Sequence, residues 1–327
     1  MNKRPFGREG IEVSEIGLGT WQIGGSWGEV SEDESLDILR AAAERGVTFF
    51  DTADVYGEGR SEKLIGRFLA ETKSDIFVAT KLGRFSPPGW PENFTLEAMR
   101  THTEASLQRL GVESLDLIQL HCVPTEVLRD GEIFESLRVL QREGKIKRFG
   151  ASVESMEEAQ ICLAQEGLVS LQIIFNIFRQ KPIETLFEDA KRQGVALIVR
   201  LPLASGLLSG KFTMESQFPE EDHRNFNRDG GSFNVGETFA GLPFERGVEL
   251  ADQIKPLVPD GMNMAQMAIR WILDFDAVTT VIPGAKNSAQ VAANVMPADM
   301  PPLNAELHQK LREFYQADVT SSIRGPY

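Results

Sequence analysis

Residues that build disulfide frameworks and metal sites are scarce in this sequence. It has two cysteines, Cys122 and Cys162, which are too few for a disulfide framework or a cysteine-rich zinc site. Its four histidines form no His-x-His or His-Glu-x-x-His pair, the spacings that are typical of zinc ligands. We therefore expect no metal cofactor.

Long apolar runs and an excess of positive charge are also missing. No run approaches the roughly 20 residues that a membrane-spanning helix needs, and residues 1–6 lack the apolar core of an export signal. Lys and Arg together number 34 against 48 for Asp and Glu, so the formal net charge is −14. This balance argues against nucleic acid or membrane partners, since both favour clustered cations. With 42% hydrophobic and 25% charged residues, we expect a soluble, cytoplasmic protein with an ordinary core.

Short apolar runs and helical patterns alternate along most of the chain. Eight runs are typical of strands in a parallel sheet that is buried on both faces: 16–19, 48–50, 76–79, 115–120, 146–150, 171–175, 195–199 and 277–282. The helical segments that follow them are 34–45, 61–69, 95–110, 132–143, 155–165, 184–193, 264–273 and 288–295. This order predicts an α/β fold of the (β/α)8 TIM-barrel class. A doubly wound sheet is the competing fold, but no strand is followed by the Gly-x-Gly-x-x-Gly pattern that binds dinucleotides there.

Two segments lie outside this repeat. Residues 4–13 contain two short β-like pieces, which predict a hairpin across the bottom of the barrel. Residues 212–246 form a long polar, Gly-rich loop after the seventh strand, and loops of this length are usually functional or disordered. The end of the chain is predicted to be a last helix from Asn304 and a loose tail over 321–327. We expect a single barrel domain over residues 1–327.

Four polar residues follow the second, third and fourth predicted strands. Asp51 and Tyr56 follow the second strand, Lys81 the third and His121 the fourth. Because the active sites of such barrels form at the carboxyl ends of the strands, we expect these side chains to share one site. A lysine ammonium lowers the pKa of a neighbouring tyrosine from about 10, and a buried lysine needs a counter-ion such as Asp51. The set fits carbonyl reduction, in which Tyr56 protonates the oxygen while a hydride reaches the carbon, with His121 orienting the oxygen.

Each of these residues alone also has a purely structural interpretation. Lys81 can be a solvated charge, His121 a core histidine and Tyr56 a packing residue in a loop flanked by glycine. Asp54 and His121 can also be imagined as ligands of a metal-dependent barrel hydrolase, but that alternative leaves Tyr56 and Lys81 without a role. It is the combination that favours reduction.

Six stretches of the sequence form a recognisable set of motifs: Gly17-Leu18-Gly19-Thr20-Trp21, Phe50-Asp51-Thr52-Ala53-Asp54-Val55-Tyr56-Gly57, Ala79-Thr80-Lys81, and residues 115–121, 202–211 and 281–286. In these motifs the chain resembles the aldo-keto reductase superfamily along essentially its whole length, and most of all the bacterial branch that contains general stress and inositol-locus reductases. The resemblance implies that Asp51, Tyr56, Lys81 and His121 are the catalytic tetrad, with Tyr56 as general acid/base.

The resemblance also implies a site for NADPH. Ser152 and Gln172 are expected to hold the nicotinamide carboxamide, and the loop 202–211 to cradle the pyrophosphate through its backbone and Lys211. Lys286 at a helix N-terminus suits an adenosine 2′-phosphate, which favours NADPH over NADH. A plain turn over 202–211 and an ordinary exposed charge at Lys286 are the structural alternatives. The full set expected to bind the cofactor is Thr20, Trp21, Ser152, Gln172, Arg200, Pro202, Leu203, Ser205, Gly206, Leu208, Lys211, Gly284, Lys286, Gln290 and Asn294.

Two residues depart from the family pattern at this site. Val153 stands where the family often has an asparagine, so one hydrogen bond to the carboxamide is lost or relocated. Arg200 stands where an aromatic residue commonly stacks on the nicotinamide. We hypothesise that the Arg200 guanidinium stacks on that ring, pairs with a phosphate, or does both.

Aromatic and basic residues in the loops are candidates for contacts around the substrate and cofactor. Either Trp21, Trp27, Phe85 and Trp90 form an apolar wall for the substrate, or they pack only locally. In the 212–246 loop, Arg224 and Arg228 are candidates for a lid over the dinucleotide, with solvated loop charges as the alternative.

The sequence as a whole predicts an enzyme that reduces a small aldehyde or ketone with NADPH. The alternative is a dinucleotide-binding redox sensor or regulatory subunit on the same fold, which the intact tetrad disfavours. The identity of the substrate lies in the variable loops, and the sequence leaves the oligomeric state open.

Overall fold

Eight parallel strands form the barrel that the sequence predicts. The computed structural model describes residues 1–25, 30–86 and 88–327. Strands β3 to β10 pair in parallel and in chain order, and bridges from Ile16 to Val281 and from Gly19 to Gly284 join the first strand to the last. The predicted (β/α)8 fold is confirmed. The strands are β1 (Lys3–Phe6), β2 (Ile11–Ser14), β3 (Leu18–Gly19), β4 (Phe49–Asp51), β5 (Phe77–Leu82), β6 (Leu117–His121), β7 (Phe149–Ser152), β8 (Leu168–Ile174), β9 (Ala196–Arg200) and β10 (Val278–Val281).

Helices follow the barrel strands along the chain. Within the described residues, no helix combines the length and the apolar character needed to span a bilayer. The α-helices are α1 (Trp21–Gly24), α2 (Glu32–Glu44), α3 (Arg60–Thr72), α4 (Leu96–Leu110), α5 (Thr125–Asp130), α6 (Glu132–Arg142), α7 (Met156–Leu163), α8 (Pro182–Thr185), α9 (Phe187–Gln193), α10 (His223–Phe226), α11 (Phe244–Ile254), α12 (Met264–Leu273), α13 (Ser288–Val295) and α14 (Ala305–Phe314).

The boundaries of two elements show how local chemistry sets them. Helix α2 begins at a capping box, in which the Ser31 hydroxyl accepts from the Glu34 N–H and the Glu34 carboxylate accepts from the Ser31 N–H. The sequence predicts the fifth barrel strand over 146–150, whereas β7 covers Phe149–Ser152. The strand starts later because Ile146 forms only an isolated bridge with Leu115.

The amino-terminal hairpin closes the bottom of the barrel. Strands β1 and β2 pair antiparallel, as predicted for residues 4–13. The buried Phe6 ring has its centroid 5.7 Å from that of Phe49 and 4.9 Å from that of Phe77. Because Phe49 and Phe77 are the first residues of β4 and β5, the hairpin covers the end where the strands begin. The hairpin does not cover the opposite end, where the strands end and where the functional side chains of such barrels lie.

The 212–246 loop packs around a small aromatic core of its own. The Phe218 ring lies 5.2 Å from Phe212 and 5.5 Å from Phe244, measured between centroids. The Phe239 ring lies 5.0 Å from that of Phe244. Polar residues separate these aromatics in the sequence. The polar composition of the segment therefore does not predict that its aromatic side chains pack together.

The last residues dock on this loop, which corrects the prediction of a loose tail over 321–327. The Arg324 N–H donates to the Gly241 carbonyl at 3.0 Å. The Arg324 guanidinium also donates to the carbonyls of Arg228 and Leu242, at 3.0 and 3.2 Å. One arginine thus satisfies several backbone acceptors and holds the tail in place.

Candidate active site

The four residues that the sequence predicts as catalytic lie together at the carboxyl end of the barrel. Asp51 ends β4, His121 ends β6 and Lys81 is the penultimate residue of β5. Tyr56 lies in the loop after β4, which approaches α1 closely at Gly57. A Cβ on Gly57 would lie 2.2 Å from the carbonyl oxygen of Gly24, so only glycine permits this path of the loop.

A chain of short contacts links three of these side chains. The Lys81 ammonium donates to Asp51 Oδ1 at 2.5 Å, to the Thr52 carbonyl at 2.8 Å and to the Tyr56 hydroxyl at 3.3 Å. The rings of Tyr56 and His121 meet edge to face with centroids 5.9 Å apart. Asp51, Lys81 and His121 are each less than a tenth exposed, so their interactions are screened little by water.

Two amides complete the surroundings of Asp51. Its Oδ2 accepts from Gln119 Nε2 at 3.2 Å and from Gln172 Nε2 at 2.6 Å. Burial favours a neutral Lys81, but Asp51 and Tyr56 outweigh it, and the pKa of Lys81 is raised above its usual 10.5. Lys81 therefore stays an ammonium. Gln172, which the sequence assigns to the carboxamide of the cofactor, donates one of its two amide N–H groups to Asp51, and its oxygen accepts from the Ser152 hydroxyl at 3.5 Å.

The pKa of Tyr56 differs in direction from the sequence-based expectation. Burial raises it above its usual 10, although the Lys81 ammonium opposes the shift. Desolvation of the phenolate outweighs the attraction of the ammonium, and the Asp51 charge also raises the pKa. Tyr56 is therefore a protonated phenol at neutral pH, the form that a proton donor requires.

His121 is neutral at physiological pH. Burial and the nearby cations Arg84 and Lys81 lower its pKa well below 6.5. Its Nδ1 is buried and has no hydrogen-bond partner among the described residues. A neutral imidazole that faces the Tyr56 ring can direct a ring N–H toward a carbonyl oxygen without carrying a charge.

A cavity of about 480 Å³ runs from this cluster to helix α13, and we call it the cofactor cavity. Asp51, Tyr56 and His121 line its inner end. Fourteen of the fifteen residues that the sequence assigns to the cofactor line it as well: Thr20, Trp21, Ser152, Gln172, Arg200, Pro202, Leu203, Ser205, Gly206, Lys211, Gly284, Lys286, Gln290 and Asn294.

The outer part of the cofactor cavity carries positive charge. Lys211, Arg224 and Lys286 all line it. Burial and the neighbouring Arg224 guanidinium lower the pKa of Lys286, while Asp222 opposes the shift. Asp222 holds Arg224 through contacts of 2.9 Å to Nε and 2.5 Å to a terminal nitrogen. Asp222 compensates the charge of Arg224, so Lys211 and Lys286 are the two lysines of this lining that suit the phosphates of a dinucleotide.

The loop 202–211, which lines the cofactor cavity, has a backbone conformation that its neighbours stabilise. Ser205 and Gly206 have φ of 56° and 102°, and a Cβ on Gly206 would lie 2.8 Å from the Phe212 ring. The Ser205 hydroxyl accepts from the Phe239 N–H at 3.1 Å. The 212–246 loop therefore supports the wall from behind, and a dinucleotide fits the size, charge and backbone shape of the cavity.

The structure adds detail to three of the residues considered in the sequence analysis. Leu208 is fully buried in the hydrophobic core instead of lining the cavity. Arg228 pairs with Glu245 at 2.6 Å over the Phe244 ring, which favours the alternative of a solvated loop charge over a lid. Arg200 does line the cavity, but Glu237 lies 3.6 Å from its guanidinium and compensates the charge proposed for a phosphate.

A second cavity of about 900 Å³ opens on the other side of Tyr56 and His121, and we call it the substrate cavity. Two of the aromatic residues predicted to contact the substrate, Trp21 and Trp90, line it. Phe85 instead packs against His102, with ring centroids 5.7 Å apart. Trp27 lies outside the described residues. Sequence reasoning missed Phe226 and Phe233, which the 212–246 loop adds to the wall.

The structure also shows a network of charged side chains at the wall of the substrate cavity, which the sequence did not predict. The Arg84 guanidinium contacts Glu154 at 3.0 Å and Glu237 at 3.1 Å. Ligand atoms of Cys122, Glu154 and Glu237 lie within 4.8 Å of one another, but the guanidiniums already compensate the carboxylates, so the absence of a metal remains our prediction. Glu237 comes from an irregular segment, where no periodicity marks a side chain as inward-facing.

Comparison with known proteins agrees with this geometry. The family model of the "Aldo/keto reductase family" matches residues 15–316. The chain is 32% identical to the aldo-keto reductase YhdN of Bacillus subtilis over 294 residues, which cover 87% of this chain and 85% of that protein. It is 28% identical over 318 residues to a probable voltage-gated potassium channel subunit beta of Arabidopsis thaliana, with 93% of each chain covered. The holo form of the aldo-keto reductase AKR11C1 from Bacillus halodurans superposes with a TM-score of 0.79 at 27% identity, covering 99% of this chain and 98% of that one.

Proposed function

Because the chain belongs to the aldo-keto reductase family, and is thus an NAD(P)H-dependent oxidoreductase that acts on carbonyl groups, we propose that it reduces aldehydes or ketones to alcohols with NADPH. The observation that carries the proposal is the contact of the Lys81 ammonium with both Asp51 and the Tyr56 hydroxyl, next to a cavity of dinucleotide size. A buried ammonium beside a protonated phenol is a proton-donating arrangement.

The residues of the chain divide the work of the reaction. A nicotinamide dinucleotide, when bound in the cofactor cavity, supplies the hydride for the carbonyl carbon. Tyr56 and the neutral His121 hold the carbonyl oxygen between them, and the Tyr56 hydroxyl gives its proton to that oxygen. The Lys81 ammonium stabilises the phenolate that remains, and Asp51 keeps Lys81 charged and in place. Trp21 lines both cavities at the reacting centre.

The preference for NADPH over NADH rests on Lys286. Replacing Lys286 by methionine is expected to weaken NADPH binding about tenfold or more, because a hydrogen bond to a charged group contributes about 1.5–3 kcal/mol. NADH binding should change less than twofold, since NADH lacks the 2′-phosphate. Fluorescence titration with both dinucleotides measures the two dissociation constants. The matched control is Lys310→Met on α14, where the lysine pairs with Glu306 on the surface. Equal losses of affinity for NADPH and NADH in Lys286→Met would contradict the role given to Lys286.

A screen of aldehydes and ketones tests the reductase proposal. Purified protein is expected to oxidise NADPH in the presence of a generic aromatic aldehyde and to release the alcohol. The potassium channel subunit among the relatives keeps the sensor alternative as the other outcome of this screen. Tight NADPH binding without oxidation over a broad panel of carbonyl compounds would support the sensor and contradict the reductase.

A further inference from the structure

The cofactor cavity and the substrate cavity meet at a small set of side chains. Four described residues line both cavities: Trp21, Tyr56, His121 and Glu237. The first three belong to the proposed reaction centre. Glu237 comes from the 212–246 loop and is the acidic member of the set, so its carboxylate lies where the substrate and the nicotinamide are expected to meet.

Two arginines hold the Glu237 side chain. Its carboxylate lies 3.1 Å from the Arg84 guanidinium, in the loop after β5, and 3.6 Å from that of Arg200, the last residue of β9. Burial alone would raise the pKa of Glu237, but the two guanidiniums hold it well below its usual range. Glu237 is therefore a carboxylate throughout the physiological range, and it fills the position between the two cations where an anion would bind.

Glu154 is the weaker partner in this network. Its carboxyl also contacts Arg84, at 3.0 Å, and accepts from Asn234 Nδ2 at 3.0 Å. Burial and the adjacent Glu237 charge raise the pKa of Glu154 to about 7. Near neutral pH, Glu154 is thus partly protonated, and it lines only the substrate cavity. Removing the charge of Glu237 would lower the pKa of Glu154, so that Glu154 compensates Arg84. Arg200 would lose the carboxylate that faces it at the reaction centre.

We propose, on the basis of the reductase function above, that Glu237 determines specificity by occupying the anion position beside the reacting carbonyl. The enzyme then takes carbonyl compounds whose neighbouring group is uncharged and rejects 2-oxo carboxylates. A carboxylate next to the carbonyl would meet the Glu237 charge in a buried site, and Glu237 already compensates the positive charges of Arg84 and Arg200 that would attract it.

A matched pair of substrates tests this proposal. Methyl phenylglyoxylate and phenylglyoxylate share a ketone and differ in the charge of the adjacent group. The measurement is the ratio of kcat/KM for the ester to kcat/KM for the acid, in the wild type, in Glu237→Gln and in the control Glu245→Gln, where Glu245 pairs with Arg228 on the surface. Comparing ratios between variants removes the intrinsic difference in reactivity of the two ketones.

In Glu237→Gln the ester-to-acid ratio is expected to fall about tenfold or more, because a freed guanidinium then binds the substrate carboxylate. The ratio in Glu245→Gln should equal that of the wild type. An equal loss for both substrates in Glu237→Gln contradicts the proposal and leaves Glu237 with a positioning role only.

A second variant covers the case in which Glu237→Gln does not fold. Arg84→Met removes one of the two cations and leaves Glu237 in place, so the ratio is expected to rise above that of the wild type. An unchanged or lower ratio overturns the specificity role. If the wild type reduces neither the ester nor other neutral carbonyl compounds, the reductase function fails as well; reduction of the ester with unchanged ratios overturns the specificity alone.

Discussion

Replacing Tyr56 by phenylalanine is expected to lower kcat for carbonyl reduction by about 10²–10⁴-fold, the usual contribution of a positioned proton donor. The substitution removes one hydroxyl and keeps the ring, so the edge-to-face contact with His121 and the stacking on Trp21, at 5.9 Å each between centroids, should persist. NADPH should therefore still bind, with a dissociation constant within about twofold of the wild type. Steady-state kinetics and fluorescence titration on the same preparation separate the two effects.

Tyr315→Phe is the matched control for this substitution. The Tyr315 hydroxyl donates to the Tyr327 hydroxyl at 3.3 Å. This variant therefore also loses one phenolic hydroxyl and its hydrogen bond, but at a position outside the proposed site. Its kcat should equal that of the wild type. If Tyr56→Phe keeps wild-type turnover, another group donates the proton and the role given to Tyr56 is wrong.

Replacing Lys81 by methionine is expected to damage both activity and stability. Methionine keeps much of the volume of lysine but leaves the buried Asp51 carboxylate without its cation. Breaking a buried ion pair from one side costs about 3–5 kcal/mol of unfolding free energy. We also expect kcat to fall by about 10²-fold or more, because the phenolate of Tyr56 loses the charge that stabilises it. Urea unfolding and steady-state kinetics measure these two quantities.

The double variant Asp51→Asn/Lys81→Met separates the two effects. With both charges removed, the neutral amide keeps acceptors for Gln119 and Gln172, and most of the lost stability should return. Activity should not return, since the ammonium remains absent. A double variant that is no more stable than Lys81→Met would show that the Asp51–Lys81 contact contributes little to folding.

The barrel and the proposed catalytic cluster could be predicted from the sequence, because both depend on strands and helices with a regular hydrophobic pattern. Parallel strands bring their carboxyl ends to the same rim, so Asp51, Lys81 and His121 are placed together by strand order alone. Tyr56 follows from the short loop after β4. The direction in which the pKa of Tyr56 shifts could not be predicted, since it depends on how far the fold buries the side chain.

The residues contributed by the 212–246 loop could not be predicted. In a loop, neither the period of a helix nor that of a strand relates position to direction, so nothing in the sequence separates the inward-facing Glu237 from its neighbours. The same limit explains Phe85 and Leu208, whose positions in motifs or loops say little about which way the side chain packs. Long-range contacts, such as Arg84 with Glu237, decide these orientations.

The distribution of charge resolves an apparent conflict between an acidic protein and an anionic cofactor. The net charge is −14, yet Lys211, Arg224 and Lys286 line one cavity. Acidic side chains such as Glu32 and Glu245 are largely solvent-exposed and interact weakly over distance in physiological salt. We therefore expect the local cations, rather than the net charge, to set the affinity for a dinucleotide.

The most direct test of the account is a single turnover of the preformed NADPH complex. The complex of the wild type and that of Tyr56→Phe are mixed rapidly with excess benzaldehyde, NADPH fluorescence is followed, and benzyl alcohol is quantified. We expect about one benzyl alcohol per bound NADPH for the wild type, by the proton transfer assigned to Tyr56, and persistent NADPH fluorescence for the variant. Equal rates for the two proteins, or bound NADPH that never reacts in the wild type, would contradict it.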